Sequence, residues 1–456
     1  MAQVKRKIHL QSRNQDLTKG PLAKQILFFS IPLMFSNILQ VLFNMADVAV
    51  VGRFAGAMAL GSVGSTTILV TMFTGFLIGF SGGINVIVAL HFGAGDEDSV
   101  KKTVHSAAVL SLMTGCALLV IGLGFSKTIL TMLNTKAELI DGAMLYIRIY
   151  FFGMPALALY NFGNAVFSAI GDTGRPLRYL TLAGIVNIIL NLILVIVFRL
   201  GVAGVAIASV VAQVLSATLI LIALFRSDAC YRLRLKELRC DSGRAMEILK
   251  IGLPAGIQNA IFYVANLFIQ SAVNSFSAIV VAGNAAATNA DALVYDVMSA
   301  FYTACGSFMG QNYGARNKER IRKSYFYSLF FAFGIGTAMG LTLVLFGRPF
   351  LRLFTTDEEV IFYGMYRLVI MGCSYGFSAF MDASIAACRA LGKGLVPTII
   401  VIMGSCIFRI IWVYTVFAHF KTIPSLYLLY ICSWLITAAA ENIYFAKVYR
   451  ETVSVL

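Results

Sequence analysis

Charge is what this sequence has least of. Of 456 residues, only 12% are Asp, Glu, Lys or Arg, about half the share of an ordinary soluble domain, while 59% are apolar. A soluble globular chain and a disordered one are both excluded, because either would leave more apolar surface in water than is tolerable. Disulfide and zinc chemistry are missing too. The eight cysteines, among them Cys116, Cys305, Cys373, Cys406 and Cys432, are scattered through apolar stretches with no CxxC pair and no His cluster. They read as small apolar packing residues. No Walker loop, HExxH or GxSxG is present, and the four histidines (His9, His91, His105, His419) are dispersed. The expectation is therefore no enzyme, no cofactor, and no metal beyond a possible sodium ion.

What is present is a series of apolar runs, each long enough to cross a bilayer, which takes about 20 helical residues. The twelve runs are 22–46, 57–85, 105–126, 138–159, 177–198, 202–225, 249–275, 281–307, 325–347, 359–386, 395–418 and 424–446. Runs of this length without barrel-like alternation can satisfy their backbone in lipid only as helices. The first lacks a small-residue cleavage site after it and reads as a retained span. Basic residues collect on alternate connections: Lys5, Arg6, Lys7, Arg13, Lys19 and Lys24, then Lys101 and Lys102, Arg175 and Arg178, residues 226–250, residues 316–323, Arg389 and Lys393, and Lys447 and Arg450. The positive-inside rule puts both termini in the cytoplasm. The net charge of +15 is then mostly a topology signal with weak attraction to anionic lipid, and gives no support for a nucleic-acid partner.

The longest polar connection lies midway, and the halves on either side resemble each other. Ser30-Ile31-Pro32 recurs as Gly252-Leu253-Pro254, and Gly93-Ala94-Gly95-Asp96 as Gly314-Ala315-Arg316-Asn317. Asn134-Thr135 recurs near Thr355-Thr356, and Gly174-Arg175-Pro176 around Gly394 to Pro397, all at offsets near 221 or 222. The expected fold is an all-α polytopic membrane protein, with twelve transmembrane helices in two pseudo-symmetric six-helix lobes. The expected divisions are a cytoplasmic segment 1–21, a lobe 22–225, a linker 226–248, a lobe 249–447 and a tail 448–456. Pro32, Pro155, Pro254 and the Gly79, Gly82, Gly83 group permit bends and close helix packing.

At this point the sequence resembles the multidrug and toxic compound extrusion family. The resemblance rests on Ser30-Ile31-Pro32, Ala46-Asp47-Val48-Ala49-Val50-Val51-Gly52, Gly93-Ala94-Gly95-Asp96, Ala169-Ile170-Gly171-Asp172-Thr173-Gly174-Arg175-Pro176, Gly310-Gln311-Asn312-Tyr313-Gly314-Ala315 and Met381-Asp382-Ala383, in order along the whole chain.

Charges inside spans are the informative residues, since each carries a desolvation cost of at least a few kcal/mol. Asp47 ends the first span, and the repeat sets it opposite Phe268 or Ile269, so it is not a shared scaffold residue. Its alternative is a helix cap at the water boundary. The resemblance implies that Asp47 binds the coupling ion, with Asn187, Asn191 and Ser209 as partners; Asn187 and Asn191 are four apart and share a helix face. Some members have Asp at Asn191 and Thr at Ser209, which makes a tight sodium site less expected here and proton coupling more so. The resemblance also implies a cation site at Asp382, whose alternative is a buried pair with Arg389 or Arg409. The Glu that accompanies such a site in the seventh span is absent from Gln258 to Tyr263, with Phe262 near its place. Asp291 and Asp296, about 140° apart around their helix, are further cation or substrate candidates or else rim residues. Arg148 and Arg367 are expected to snorkel outward, and Glu441 to reach water. Tyr160, Phe262, Tyr263, Tyr295 and Phe301 are candidate cavity aromatics for flat cations.

The expected function is secondary antiport in an inner membrane by a monomer: export of amphipathic, often cationic, small molecules in exchange for protons or sodium, with the first helix bending at Pro32. The rival is a flippase of a lipid-linked oligosaccharide, which needs several arginines lining its cavity to hold pyrophosphate.

Overall fold

The computed structural model describes residues 16–132 and 135–456. Lys5, Arg6, Lys7 and Arg13, and Asn134 of the fourth-span landmark, lie outside the described residues. Among the described residues the structure is helical with no strand, and its helices group into twelve spans. The first half comprises α1 (Leu22–Val50, extended by a π-helical turn Val51–Ala55), α2 (Ala57–Gly93), α3 (Glu97–Met132), α4 (Ala137–Phe151 and Met154–Ala169, bent by 48°), α5 (Gly174–Leu192 with a π-helical turn Ile193–Val197) and α6 (Gly201–Phe225). The second comprises α7 (Ser242–Val273), α8 (Ala278–Gly314), α9 (Lys318–Leu345), α10 (Glu358–Gly372 and Tyr375–Ala390, bent by 47°), α11 (Leu395–Phe420) and α12 (Ile423–Val453). α1 continues past residue 46 through the mostly apolar stretch 47–55, and α7 begins earlier than its apolar run, at the polar turn 242–244.

Among the described residues, nine helices are long and apolar enough to span alone, and each bent pair qualifies as one span. α8 has the length, 37 residues, but carries Asn284, Thr288, Asn289, Asp291 and Asp296 in its first half. Those groups need protein partners if the helix is to sit in lipid. The repeat is exact in places: α2 and α8 start 221 residues apart, and so do the second segments of α4 and α10. In α4, Pro155 lacks an N–H and its ring would press on the carbonyl of Phe151, so the helix breaks. α10 bends without proline. There α9 comes so close that a Cβ on Gly340 would lie 2.0 Å from the Gly372 carbonyl oxygen.

The chain forms two compact units, residues 35–256 and residues 17–34 with 257–456. Each unit thus takes the foot of the other half's first helix, and the chain passes over two residues after Pro32 and Pro254. Within the first unit, the foot of α7 packs on α2: a Cβ on Gly83 would lie 2.5 Å from the Gly252 nitrogen, and one on Gly79 2.4 Å from the Ala255 oxygen. Gly82 has nothing near it. Arg244 of α7 donates to Ser99 (2.9 Å) and Glu247 (2.9 Å) beside His91. The linker lies on α3: the Arg234 and Asp241 amides donate to His105 Nε2 (3.1 Å) and Ser106 Oγ (2.9 Å). Lys101 bonds Glu237 at 2.7 Å and holds its carboxyl below the usual range.

In the second unit the equivalent clasp uses other residues. Arg320 donates to the carbonyls of Leu17 (3.0 Å) and Gly20 (2.9 Å) and to Asn312 (3.2 Å), while Gln311 accepts from the Leu17 amide (3.2 Å). Asp96 and Asn317, repeat mates, each cap the following helix by accepting an amide three residues on. Arg320→Ala removes the donor shared by these partly exposed carbonyls, whose hydrogen bonds contribute about 0.5–1.5 kcal/mol net. Proteolysis between Asp16 and Gln25 should then accelerate about tenfold, without loss of the remaining helices.

Candidate functional site

The first unit encloses Asp47. It is 8% exposed, inside the bundle rather than at a water boundary. Its Oδ1 accepts from Asn191 Nδ2, and its Oδ2 from Ser209 Oγ at 3.0 Å. Asn191 Nδ2 also donates to Asn187 Oδ1 at 3.2 Å, as their spacing on one face of α5 requires. All four side chains named from the sequence therefore meet in one place. The Asn191 carbonyl oxygen is buried there with no donor, although it lies beside a carboxylate.

Local backbone shapes this pocket. The π-helical turns of α1 and α5 begin four residues after Asp47 and two after Asn191. Such turns widen a helix and rotate the side chains that precede them relative to those that follow. The α1 turn ends at Gly56, whose φ of +89° suits glycine. The sequence reading missed Tyr146, buried on α4 against Ser209 and Asp47, and Tyr150, which stacks on it at 5.7 Å. Their four-residue spacing in a span was the available signal.

The second unit holds the other candidates. Asp382 is partly buried, and its Oδ2 is sealed without a hydrogen-bond partner. The arginines offered as its ion-pair partners are engaged otherwise: Arg389 donates to Gln258 Oε1 (2.9 Å), and Arg409 to Ser433 Oγ (2.9 Å) while lying over the rings of Tyr430 (4.6 Å) and Phe262 (5.8 Å). Tyr263 and Tyr295 are substantially exposed and lie by the half-buried Asp296, with Asp382 also near Tyr295.

Four expectations need correction. Arg367 does not snorkel. It is 4% exposed and pairs with Asp291, donating also to Asn284 Oδ1 (2.9 Å), because α8 carries complementary polar groups toward α10. Asp291 accepts from Arg367 and from the Tyr375 hydroxyl, the structural placement among the readings offered for it. Glu441 does not reach water and is 0% exposed. Tyr160 (4% exposed) and Phe301 (1%) are packed in apolar cores and present no ring face to a ligand.

Twelve helices in duplicated halves, with a carboxylate sealed in one and a second beside buried arginines in the other, define a class: polytopic membrane transporters built from two repeats. The MatE family model matches twice, at residues 32–193 and 254–415, which are 222 apart. The chain belongs to the MatE family, the multidrug and toxic compound extrusion transporters. It is 29% identical over 370 residues to the probable multidrug resistance protein YpnP of Bacillus subtilis, covering 79% of this chain and 81% of that one. It is 25% identical over 370 residues to an FAD transporter of Shewanella oneidensis, covering 79% and 80%. A solved outward-facing multidrug resistance MATE family transporter superposes with a TM-score of 0.88 at 23% identity over 96% of this chain and 99% of that one, a likeness of fold.

Proposed function

We propose that this protein is a secondary antiporter of the cytoplasmic membrane that exports amphipathic, often cationic, compounds in exchange for protons or sodium ions, acting as a monomer with both termini inside. The observation that carries the reading is the Asp47 pocket: a carboxylate held only by neutral donors, next to a buried Asn191 oxygen with none. Asn191 and Ser209 both donate to the Asp47 carboxylate. Once a proton reaches Asp47, one of its oxygens becomes a donor, and a turn of the Asn191 amide brings its unserved oxygen round to accept. A sodium ion would use the same oxygen as a ligand. Either way the ion rearranges contacts between α1 and α5, and Pro32 gives α1 a place to bend. By linkage, substrate and ion then weaken each other's binding.

In the second unit, Tyr263, Tyr295, Asp296 and Asp382 present aromatic faces beside carboxylates, a surface suited to a flat organic cation. A flippase would need arginines open to a pyrophosphate, whereas Arg367 and Arg409 are sealed and already bonded. Transport of ethidium into everted vesicles tests the proposal: an imposed proton gradient or sodium gradient should drive it, and uptake indifferent to both would refute it. The same assay reads out Asn191→Asp. A second carboxylate in the pocket adds a negative charge that a cation neutralises, so sodium should stimulate the variant at about tenfold lower concentration than the parent protein.

A further inference from the structure

We propose that Glu441 is a proton-accepting residue of the carboxy-terminal unit, sharing one exchangeable proton with Asp382 across Arg389. The proposal rests on the antiport reading above and extends it to a group that the sequence assigned to water.

Ser433, Thr437 and Glu441 are spaced four apart on α12 and follow one face. The upper two are spent on hydrogen bonds: Ser433 accepts from Arg409, while Thr437 donates to the Ser433 carbonyl (2.7 Å) and pairs with the Ser405 hydroxyl (3.0 Å). The stripe then ends in a fully buried carboxyl whose two oxygens both lack a partner. As a scaffold element this is a poor choice, since a buried anion without donors carries a desolvation penalty that Gln or Leu would avoid. As a carboxylic acid it carries no charge.

The groups facing Glu441 explain how a proton could leave. Arg389 and Asp382 lie seven residues apart, hence on one face of α10, and both are within electrostatic reach of Glu441, as are Cys388 of α10 and Tyr444 of α12 itself. Arg409, on α11, stands near Asp382 with its charge shared among Ser433 and two rings. Arg389 is underused: its Nη2 serves Gln258, but its Nε is buried with no acceptor. One free guanidinium donor therefore stands with two unserved carboxyls. A guanidinium that turned toward them could neutralise only one at a time, leaving the proton on the other. A swing of Arg389 from one carboxyl to the other would move the proton's resting place along α10 and α12.

The test uses purified full-length protein and ethidium as ligand, measuring proton release in weakly buffered detergent solution and the pH profile of ethidium transport in proteoliposomes. Glu441→Gln should release about half as many protons per bound ethidium as the parent protein and shift the pH profile, and Asp382→Asn should do likewise. Glu441→Asp, which keeps the carboxyl, should restore both readouts, and infrared difference spectra on a pH jump should show its protonated carboxyl band moved from that of Glu441. These last two measurements decide the matter if Glu441→Gln fails to fold. A parental proton count and profile in Glu441→Gln, with Asp382→Asn altered, overturns the role of Glu441 alone. Parental behaviour in both variants overturns it together with the ion role of Asp382.

Discussion

Asp47→Asn is expected to abolish ion-driven efflux, lowering it at least tenfold in a drug-accumulation assay, while the purified protein unfolds no more readily than its parent. The replacement is nearly isosteric, and the neighbours can accommodate it. Asn191 Nδ2 can still donate to the new amide oxygen, and the Ser209 hydroxyl, now 3.0 Å from an oxygen, can turn to accept from the new amide nitrogen. No cation pairs with Asp47, so none is left stranded. Removing a buried charge whose partners are neutral costs nothing electrostatically and relieves desolvation. What is lost is the capacity to change charge state, and with it the coupling between ion and substrate. Reduced expression or an early unfolding midpoint would instead mark Asp47 as a scaffold residue, and undiminished gradient-driven efflux would remove it from the mechanism.

How much of this was legible beforehand depends on whether the information is local. Spans and duplication are set by composition and spacing, so they were readable: Pro32 and Pro254, or Asp96 and Asn317, announce the repeat by themselves. The Asp47 pocket was readable through the family resemblance, which pointed to Asn187, Asn191 and Ser209; spacing alone adds only that the two asparagines share a helix face. Depth along a helix was not enough for Arg367 and Glu441. Each lies where a side chain extended toward the helix end would meet water, yet each turns toward a neighbouring helix. Which neighbour it meets depends on the packing of α8, α10 and α12, a long-range property that no window of sequence contains. The exchanged feet of α1 and α7 were hidden for the same reason. The Arg320 and Arg244 clasps sit at related places in the repeat but place the arginine on different partners.

Asp291→Asn, the same chemical change as at Asp47, is expected to have the opposite outcome. Here the carboxylate faces a guanidinium: Arg367 Nε donates to Asp291 Oδ2 at 3.0 Å, and the arginine is otherwise held by Asn284 Oδ1 at 2.9 Å and by the faces of Tyr427 (5.1 Å) and Tyr430 (5.2 Å). Neutralising the acid leaves a sealed cation with one amide oxygen and two rings in place of its counter-ion. Breaking a buried pair from one side costs about 3–5 kcal/mol, and the rings return only about 1–2 kcal/mol of that. The variant should unfold at a clearly lower temperature in detergent, and its efflux should fall with the amount of folded protein rather than through coupling. Removing both charges, as Asp291→Leu with Arg367→Leu, should recover most of the midpoint, since the penalty belongs to the stranded cation and not to the absence of the pair. A double variant no more stable than Asp291→Asn would show that Asn284, Tyr375 and Tyr427, which the pair holds in register across α8, α10 and α12, depend on the charges themselves.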